Sequence, residues 1–440
     1  MRTTKTLIAL ALISSLVACG GSNNNNSTQG SGSSSAALAK FTTMTSVTNS
    51  CGEVTRPAFD VVFHKLDGAV NGTTKSDNQG KIDTDIPQGT QHISVIIPTK
   101  NNDGEKVTYV DTYLDVSNGL TLDRLSFYNS DDSCSCTYEA QVDISELKIS
   151  APDAILEGVN RRPIHIDVAD DVLPMCSKDK LAYLSIKTPY FGGSKAAKFD
   201  LSSGAISVKE SDFIHQGVKV DYSHIDEHSM GTVNIRGAID NRSVFHQVSY
   251  RTKDNLYIYP SIADTNLLSL ASFEENSFAE GNFKSFNTAY QHIDENGHLD
   301  QPQKISAYDV GYEFSNSFVN ALVSSNSNVL SYDYTNAVPS ADRVQYRIGF
   351  NDYKHGAVSW YINSEAKGTI PDLEFGDILT DETMDESSMY LSFNLYDYNH
   401  EGNYIDLINV FQRQTYEQLI DSGIYDGGAS IRIEFELNSN

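Results

Sequence analysis

Residues 59–64 read FDVVFH and residues 75–97 read KSDNQGKIDTDIPQGTQHISVII. In the first stretch Phe59, Val61 and Phe63 alternate with Asp60, Val62 and His64, the two-residue period of a half-buried strand. Asp67-Gly68 and Asn71-Gly72 follow as turn pairs. In the second, Ile93, Val95 and Ile97 alternate again after two glycine-containing turns. Short strands separated by glycine turns, with few helix signals, predict an all-β chain.

The order Asp77-Asn78-Gln79-Gly80, then Ile86-Pro87-Gln88-Gly89, then the strand around Ile93 resembles prealbumin-like repeats, the small β-sandwiches grouped as carboxypeptidase regulatory-like domains. The resemblance spans residues 57–97. Thr90-Gln91-His92 stand where that family usually carries an aromatic after the second glycine. It implies a structural or binding module with no catalytic residues to carry over. Leu120 to Tyr128 and Thr137 to Ile144 complete such a domain over 41–144.

Period-two character continues at Ile164–Val168, Leu181–Ile186, Val218–Tyr222, Val233–Ile235, Val244–Tyr250 and Leu256–Tyr259, which predicts a second β domain over 145–294. Within residues 265–292 the cluster Leu267, Leu268, Leu270, Ala271 and Phe273 fits a short helix or a buried strand equally well. A third β domain over 295–440 is expected from Val344–Phe350, Ala357–Ile362, Met389–Tyr396 and Ser430–Leu437, with one short helix at Tyr416–Ile420 closed by Gly423. No fixed-period repeat occurs, which argues against a propeller or solenoid. The expectation is a set of tandem β-sandwiches, Ig-like or prealbumin-like.

Working back to the start, Arg2 and Lys5 precede an apolar run from Leu7 to Ile13, too short to span a bilayer and suited to a signal peptide over 1–18. Leu16-Val17-Ala18-Cys19 resembles the lipobox of bacterial lipoproteins. That resemblance implies cleavage before Cys19 and acylation of its sulfur and amine, two chains holding where one would not. Gly20 after the cysteine, rather than Asp, implies the outer membrane. Residues 20–35 are Gly, Ser, Asn, Thr and Gln without a charge, a flexible spacer within 19–40 reaching about 20–24 Å.

Five cysteines leave four once Cys19 is lipidated: Cys51, Cys134, Cys136 and Cys176. Joining Cys134 to Cys136 would close a very small ring, so Cys51 is expected to pair with one of them and Cys176 with the other. Their wide, irregular spacing does not match a zinc ribbon.

The chain carries 32 basic and 58 acidic residues, a net charge of −26. Losing residues 1–18 removes two cations and no acid, taking the balance to −28. Such a surface repels nucleic acid and anionic head groups. His224, Glu227 and His228 spell H-x-x-E-H, an inverted-zincin signature that needs a helix, but their flanks read as strand. Asp397, Asn399 and Glu401 set oxygen ligands on alternate residues before Gly402, the opening of a calcium loop, with Ile408 where an EF-hand needs its closing Glu. No cofactor is expected from the sequence, with calcium at this loop as the alternative. The triplets at 332–334 and 396–398 read Tyr-Asp-Tyr; in a strand the tyrosines share a face and serve either as core or as a sugar-stacking platform. No nucleophile elbow or phosphate-binding loop is present. The sequence predicts a lipid-anchored envelope protein with a binding or adhesion role through its β-sandwich modules, toward a carbohydrate or protein at the cell surface, with an envelope hydrolase, metal-dependent at His224, Glu227 and His228, or a purely structural surface protein as alternatives.

Overall fold

Twelve strands drawn from most of the chain form one sheet in the computed structural model. The structure describes residues 39–49, 54–100, 104–116, 120–129, 138–158, 161–177, 180–188, 193–222, 231–239, 242–249, 255–278, 281–299, 305–323, 329–380, 384–414, 418–419 and 422–437. In chain order the twelve strands are β1 (Asp60–His64), β2 (Val70–Lys75), β3 (His92–Lys100), β4 (Lys106–Tyr113), β5 (Thr232–Ile239) and β6 (Arg242–Ser249). They continue with β7 (Thr265–Phe278), β8 (Gly281–His292), β9 (Arg343–Asp352), β10 (Gly356–Ser364), β11 (Met384–Asp397) and β12 (Ala429–Leu437). Their spatial order is β6-β5-β7-β8-β12-β11-β9-β10-β4-β3-β1-β2. Neighbours run antiparallel except β10 and β4, which are parallel with Ala357 opposite Val107 and Asn363 opposite Tyr113. That joint ties residues 60–113 to the C-terminal third of the chain. The boundaries expected at 144 and 294 therefore do not divide this sheet.

Among the described residues strands far outnumber helices, and the protein is all-β and built from several packed sheets. One face of β1, β3 and β4 sets Phe63, Val95 and Ile97 against Phe41, Ile82 and Leu120 of a smaller sheet built around Lys40–Asn49. Their other face sets Val62, Ile96 and Val110 into the largest core, with Val344, Phe393 and Ile431. Burial on both faces explains why Asp60–His64 shows no exposed alternate residue. A further pair of sheets, around Tyr138–Asp143 and Leu181–Lys187, closes over Val142, Leu156, Leu173 and Leu184.

Four sequence expectations change. Residues 265–292 resolve to strand rather than helix, with Leu267, Leu268 and Leu270 buried, and they form the long hairpin β7–β8, in register from Leu267 opposite His292 to Phe278 opposite Gly281. Of the 164–168 region only Ile164 and His165 are strand, at the end of Arg161–His165, and Ile166–Val168 is a 3₁₀ turn. The strand read at Val218–Tyr222 shortens to Val218–Lys219. Helices also occur where none was read: α1 (Ser145–Ser150), α2 (Ala307–Val323) and α3 (Tyr404–Arg413). The start of α3 is a reciprocal capping box, with Asn403 accepting from the Ile405 and Asp406 amides and the Asp406 carboxylate accepting from the Asn403 amide. Of the helix expected at Tyr416–Ile420, residues 416, 417 and 420 lie outside the described residues.

Candidate functional site

Alternation along the central strands divides the sheet into an apolar face and a polar one. On β9, Val344, Tyr346 and Ile348 are buried in the large core, so Arg343, Gln345 and Arg347 take the opposite face. Asn394 and Tyr396 of β11 and Arg432 and Glu434 of β12 fall on the same side, between Phe393, Leu395, Ile431 and Ile433. The strand register lines these up in rows across the sheet. Tyr113 meets Asn363, Asn363 meets Gln345, Gln345 meets Asn394, and Asn394 meets Arg432.

Where this face passes under α3, a pocket of about 390 Å³ opens. Its floor is Tyr109, Asp111 and Tyr113 of β4, Tyr361 and Asn363 of β10, and Arg343 and Gln345 of β9. Ser126 and, from α3, Ile408, Phe411 and Gln412 form the walls. Helix α3 is held over the pocket by contacts with residues 114–124. The Tyr404 hydroxyl donates to the Leu114 carbonyl (2.6 Å), and the Asn409 amide donates to the Thr121 carbonyl (2.9 Å). The Asp123 and Arg124 amides donate to Asn409 and Gln412, and Arg413 forms a two-pronged ion pair with Asp123.

The floor is pre-organised. Asn363, 1% exposed, accepts at Oδ1 from Arg343 (2.5 Å) and Gln345 (2.9 Å) and donates to the Thr112 carbonyl (3.2 Å). The Arg343 guanidinium lies over the Tyr396 ring at 5.1 Å, and its Nε is buried without a hydrogen-bond partner, as is the Nε of Arg347. Asp111 has no ion pair among the described residues. Burial pushes its carboxyl up to about 7, against the pull of the Arg343 charge. Burial also raises Tyr113 and Tyr361.

Because Asp111 titrates in the fold well above its ordinary 3.8, the unfolded chain releases this proton first as pH rises. Stability is therefore lost progressively from about pH 4 to about pH 7, and the loss is complete above that. Asp111→Asn is expected to stabilise the protein at pH 8 by about 1–2 kcal/mol, discounted for partial exposure, and to leave it unchanged at pH 4. Thermal unfolding at the two pH values measures this; equal shifts at both would refute it.

The described residues that the sequence singles out do not line this pocket. His224, Glu227 and His228 lie outside the described residues, as do Cys19, Cys51, Cys134 and Cys136. Cys176 sits in the strand Val172–Ser177, its backbone opposite Glu139. Asp397 is 4% exposed and accepts from the Ser340 hydroxyl, whereas Asn399 donates to the Gly423 carbonyl and Glu401 is exposed. The three do not converge, and among the described residues no group of three or more His, Cys, Asp or Glu is placed to hold a metal ion. The two Tyr-Asp-Tyr triplets part company. Tyr332 and Tyr334 are core, bonded to Ser364 and Tyr346, with Asp333 paired to Lys367 outside. At 396–398 the acid is the buried member, while Tyr396 and Tyr398 are half-buried on the polar side, with ring centroids 5.8 Å apart.

Sequence reading missed Asp111, Arg343 and Asn363. The alternation at 109–113 and 343–347 marks the polar faces of two strands, but nothing local says that they lie two strands apart.

No family model matches the chain, and no curated protein matches it. Among solved structures, a chain described under "Structural insight into host cell surface retention of a 1.5-MDa bacterial ice-binding adhesin" aligns over 74% of this chain and 97% of its own. The identity is 10% and the TM-score 0.11, a superposition too weak to establish a shared fold.

Proposed function

We propose that this is a lipid-anchored protein of the bacterial outer membrane that binds a small polar ligand in the pocket between β4, β9, β10 and α3. The observation that carries the reading is the floor of that pocket, where Asn363 fixes Arg343 and Gln345 from below while Asp111 and three tyrosines face the cavity. A volume of about 390 Å³ falls in the range of small-molecule clefts, roughly 300–1,000 Å³. Ordering these side chains in advance lowers the entropic cost of capturing a ligand. Binding rather than catalysis suits the site, because among the described residues Asp111 is its single lining carboxylate and no nucleophile–base pair lines it.

The anchor rests on Leu16-Val17-Ala18-Cys19 and the uncharged spacer that follows. Among the described residues no helix is long and apolar enough to cross a membrane, so acylation is the attachment proposed. Cys19→Ser is expected to move the protein from the membrane to the soluble fraction of fractionated cells. Retention of the variant in the membrane would remove the anchor from the account. For the pocket, calorimetric titration of the full-length protein with small polar ligands should give a binding isotherm that is lost in Arg343→Ala, and an isotherm unchanged in that variant would place binding elsewhere.

A further inference from the structure

Resting on the binding role proposed above, we infer that the pocket takes a neutral saccharide, and that the polar ribbon running from it across β9, β11, β12 and β8 holds further rings of the same chain. Each sugar hydroxyl both donates and accepts. The pocket offers that mixture: Asp111 as acceptor, Arg343 as donor, and the amides of Gln345 and Gln412 as both. The C–H faces of a pyranose carry slight positive charge and pack on the negative face of an aromatic ring. Tyr109, Tyr361 and Phe411 supply such rings around the same cavity.

The alternatives fit less well. An anionic ligand would meet the single Arg343 charge in the pocket of a chain whose net charge is −26. A peptide recognised through strand addition needs a free sheet edge, whereas β4, β10 and β9 are paired on both sides. An apolar ligand would leave Asp111 and the Nε of Arg343 without partners. Hydrolysis of a glycoside by the usual mechanism needs two carboxyl groups about 5–9.5 Å apart, and among the described lining residues Asp111 is the one carboxylate, which favours holding the sugar over cutting it.

The ribbon gives the ligand its length. Beyond the pocket the rows continue through Arg347 and Glu434, with Ser392 buried between them, and through Asn394, Arg432 and Phe286. Arg347 lies within 5.6 Å of the Tyr361 ring and 5.2 Å of the Tyr390 ring, and its buried Nε lacks an acceptor. Arg432 lies 4.3 Å over the Phe286 ring. From β4 to β8 the face spans six strands, about 24 Å at ~4.8 Å per strand. Polar side chains run along it, with aromatic rings at Tyr361 and Tyr390 beside Arg347, Tyr396 beside Arg343 and Phe286 beneath Arg432, the mixture an extended oligosaccharide requires.

The test is a titration of the full-length protein in detergent with neutral oligosaccharides of increasing length, alongside their uronic-acid or sulfated counterparts and short peptides. Neutral chains are expected to bind, with affinity rising with length, falling about tenfold in Tyr361→Ala and staying within about threefold in Tyr361→Phe, which keeps the ring. Thermal unfolding of each variant establishes that it is folded. Binding confined to anionic ligands or peptides, and lost in Arg343→Gln, overturns the saccharide assignment and leaves the pocket as a binding site. Absence of binding by every class, or binding indifferent to both Tyr361 and Arg343, overturns the assignment and the binding role together.

Discussion

Phe393→Ala is expected to cost about 3–5 kcal/mol of folding stability, the cost of removing a large buried aromatic that its surroundings cannot replace. Phe393 is 0% exposed at the centre of the apolar face of β11. Its ring lies 5.0 Å from Phe314 of α2, 5.8 Å from Phe435 of β12 and 5.3 Å from Tyr334. These rings are fixed from outside: the Tyr334 and Tyr346 hydroxyls are 3.0 Å apart, and the Tyr332 hydroxyl donates to Ser364 at 2.5 Å. A cavity here cannot collapse without breaking bonds between buried hydroxyls. The loss should loosen the whole sheet, because α2, β11 and β12 all pack on this ring. Denaturant unfolding followed by the fluorescence of Trp360, the chain's single tryptophan, measures it. A loss below about 1 kcal/mol would mean that the aromatic cluster does not organise the core.

A second large effect is acid destabilisation through His64. This residue is 0% exposed, and its neighbours dictate its proton. Nδ1 lies 3.2 Å from the Gly68 carbonyl, an acceptor only, so Nδ1 carries the hydrogen. Nε2 then accepts from Ser94 (2.8 Å), Ser94 accepts from Thr112 (2.7 Å), and Thr112 accepts from the indole N–H of Trp360 (2.9 Å). Tryptophan can only donate, so this order of bonds favours Nε2 as the acceptor, and protonating it would oblige the Ser94 hydroxyl to turn its own hydrogen away from the imidazole. Burial together with the nearby His92 lowers the His64 value to about 4, against the partial support of the Gly68 carbonyl. The unfolded chain, at an ordinary 6.5, takes up this proton first as pH falls. The stability is fully present above about pH 6.5 and is lost down to about pH 4, amounting to about 3 kcal/mol. Trp360→Phe removes the donor that locks the chain and should flatten the decline between these limits. An unchanged pH dependence in that variant would show that the relay does not control the imidazole.

Gly68 connects this network to the fold. It sits at φ +90°, where an added Cβ would fall 1.6 Å from the Asp372 carbonyl oxygen, and its own carbonyl also accepts from the Glu374 amide (3.0 Å). The Asp67-Gly68 pair was legible in the sequence as a turn. That the turn presses against residues 372–374, some three hundred positions away, was not.

The same division runs through the molecule. Alternation at 59–63 and 93–97 announced strands, and the alternating stretches at 344–350 and 389–396 matched β9 and much of β11, because each pattern is local. Leu267 to Phe273 misled because β7 places Leu267, Leu268 and Leu270 all in buried positions, so its inner part shows no clean alternation. Helix α3 had its signal in Asn403 and Asp406, outweighed in reading by the calcium-like Asp397-x-Asn399-x-Glu401 just before it. The pocket was illegible for a topological reason. Asp111 and Tyr361 are neighbours only because β4 and β10 pair in parallel across 250 residues, and no periodicity within either strand encodes that partner.

The central claim is that ligand is held between the polar face of β4, β10 and β9 and helix α3. Hydrogen exchange of the full-length protein with and without its tightest-binding ligand tests it most directly. The account predicts added protection concentrated in residues 404–413, whose helix closes the pocket, and in 343–347 and 361–363 beneath it. Protection confined to the β7–β8 hairpin or to the sheets around Tyr138–Asp143 and Leu181–Lys187, with α3 unchanged, would contradict it.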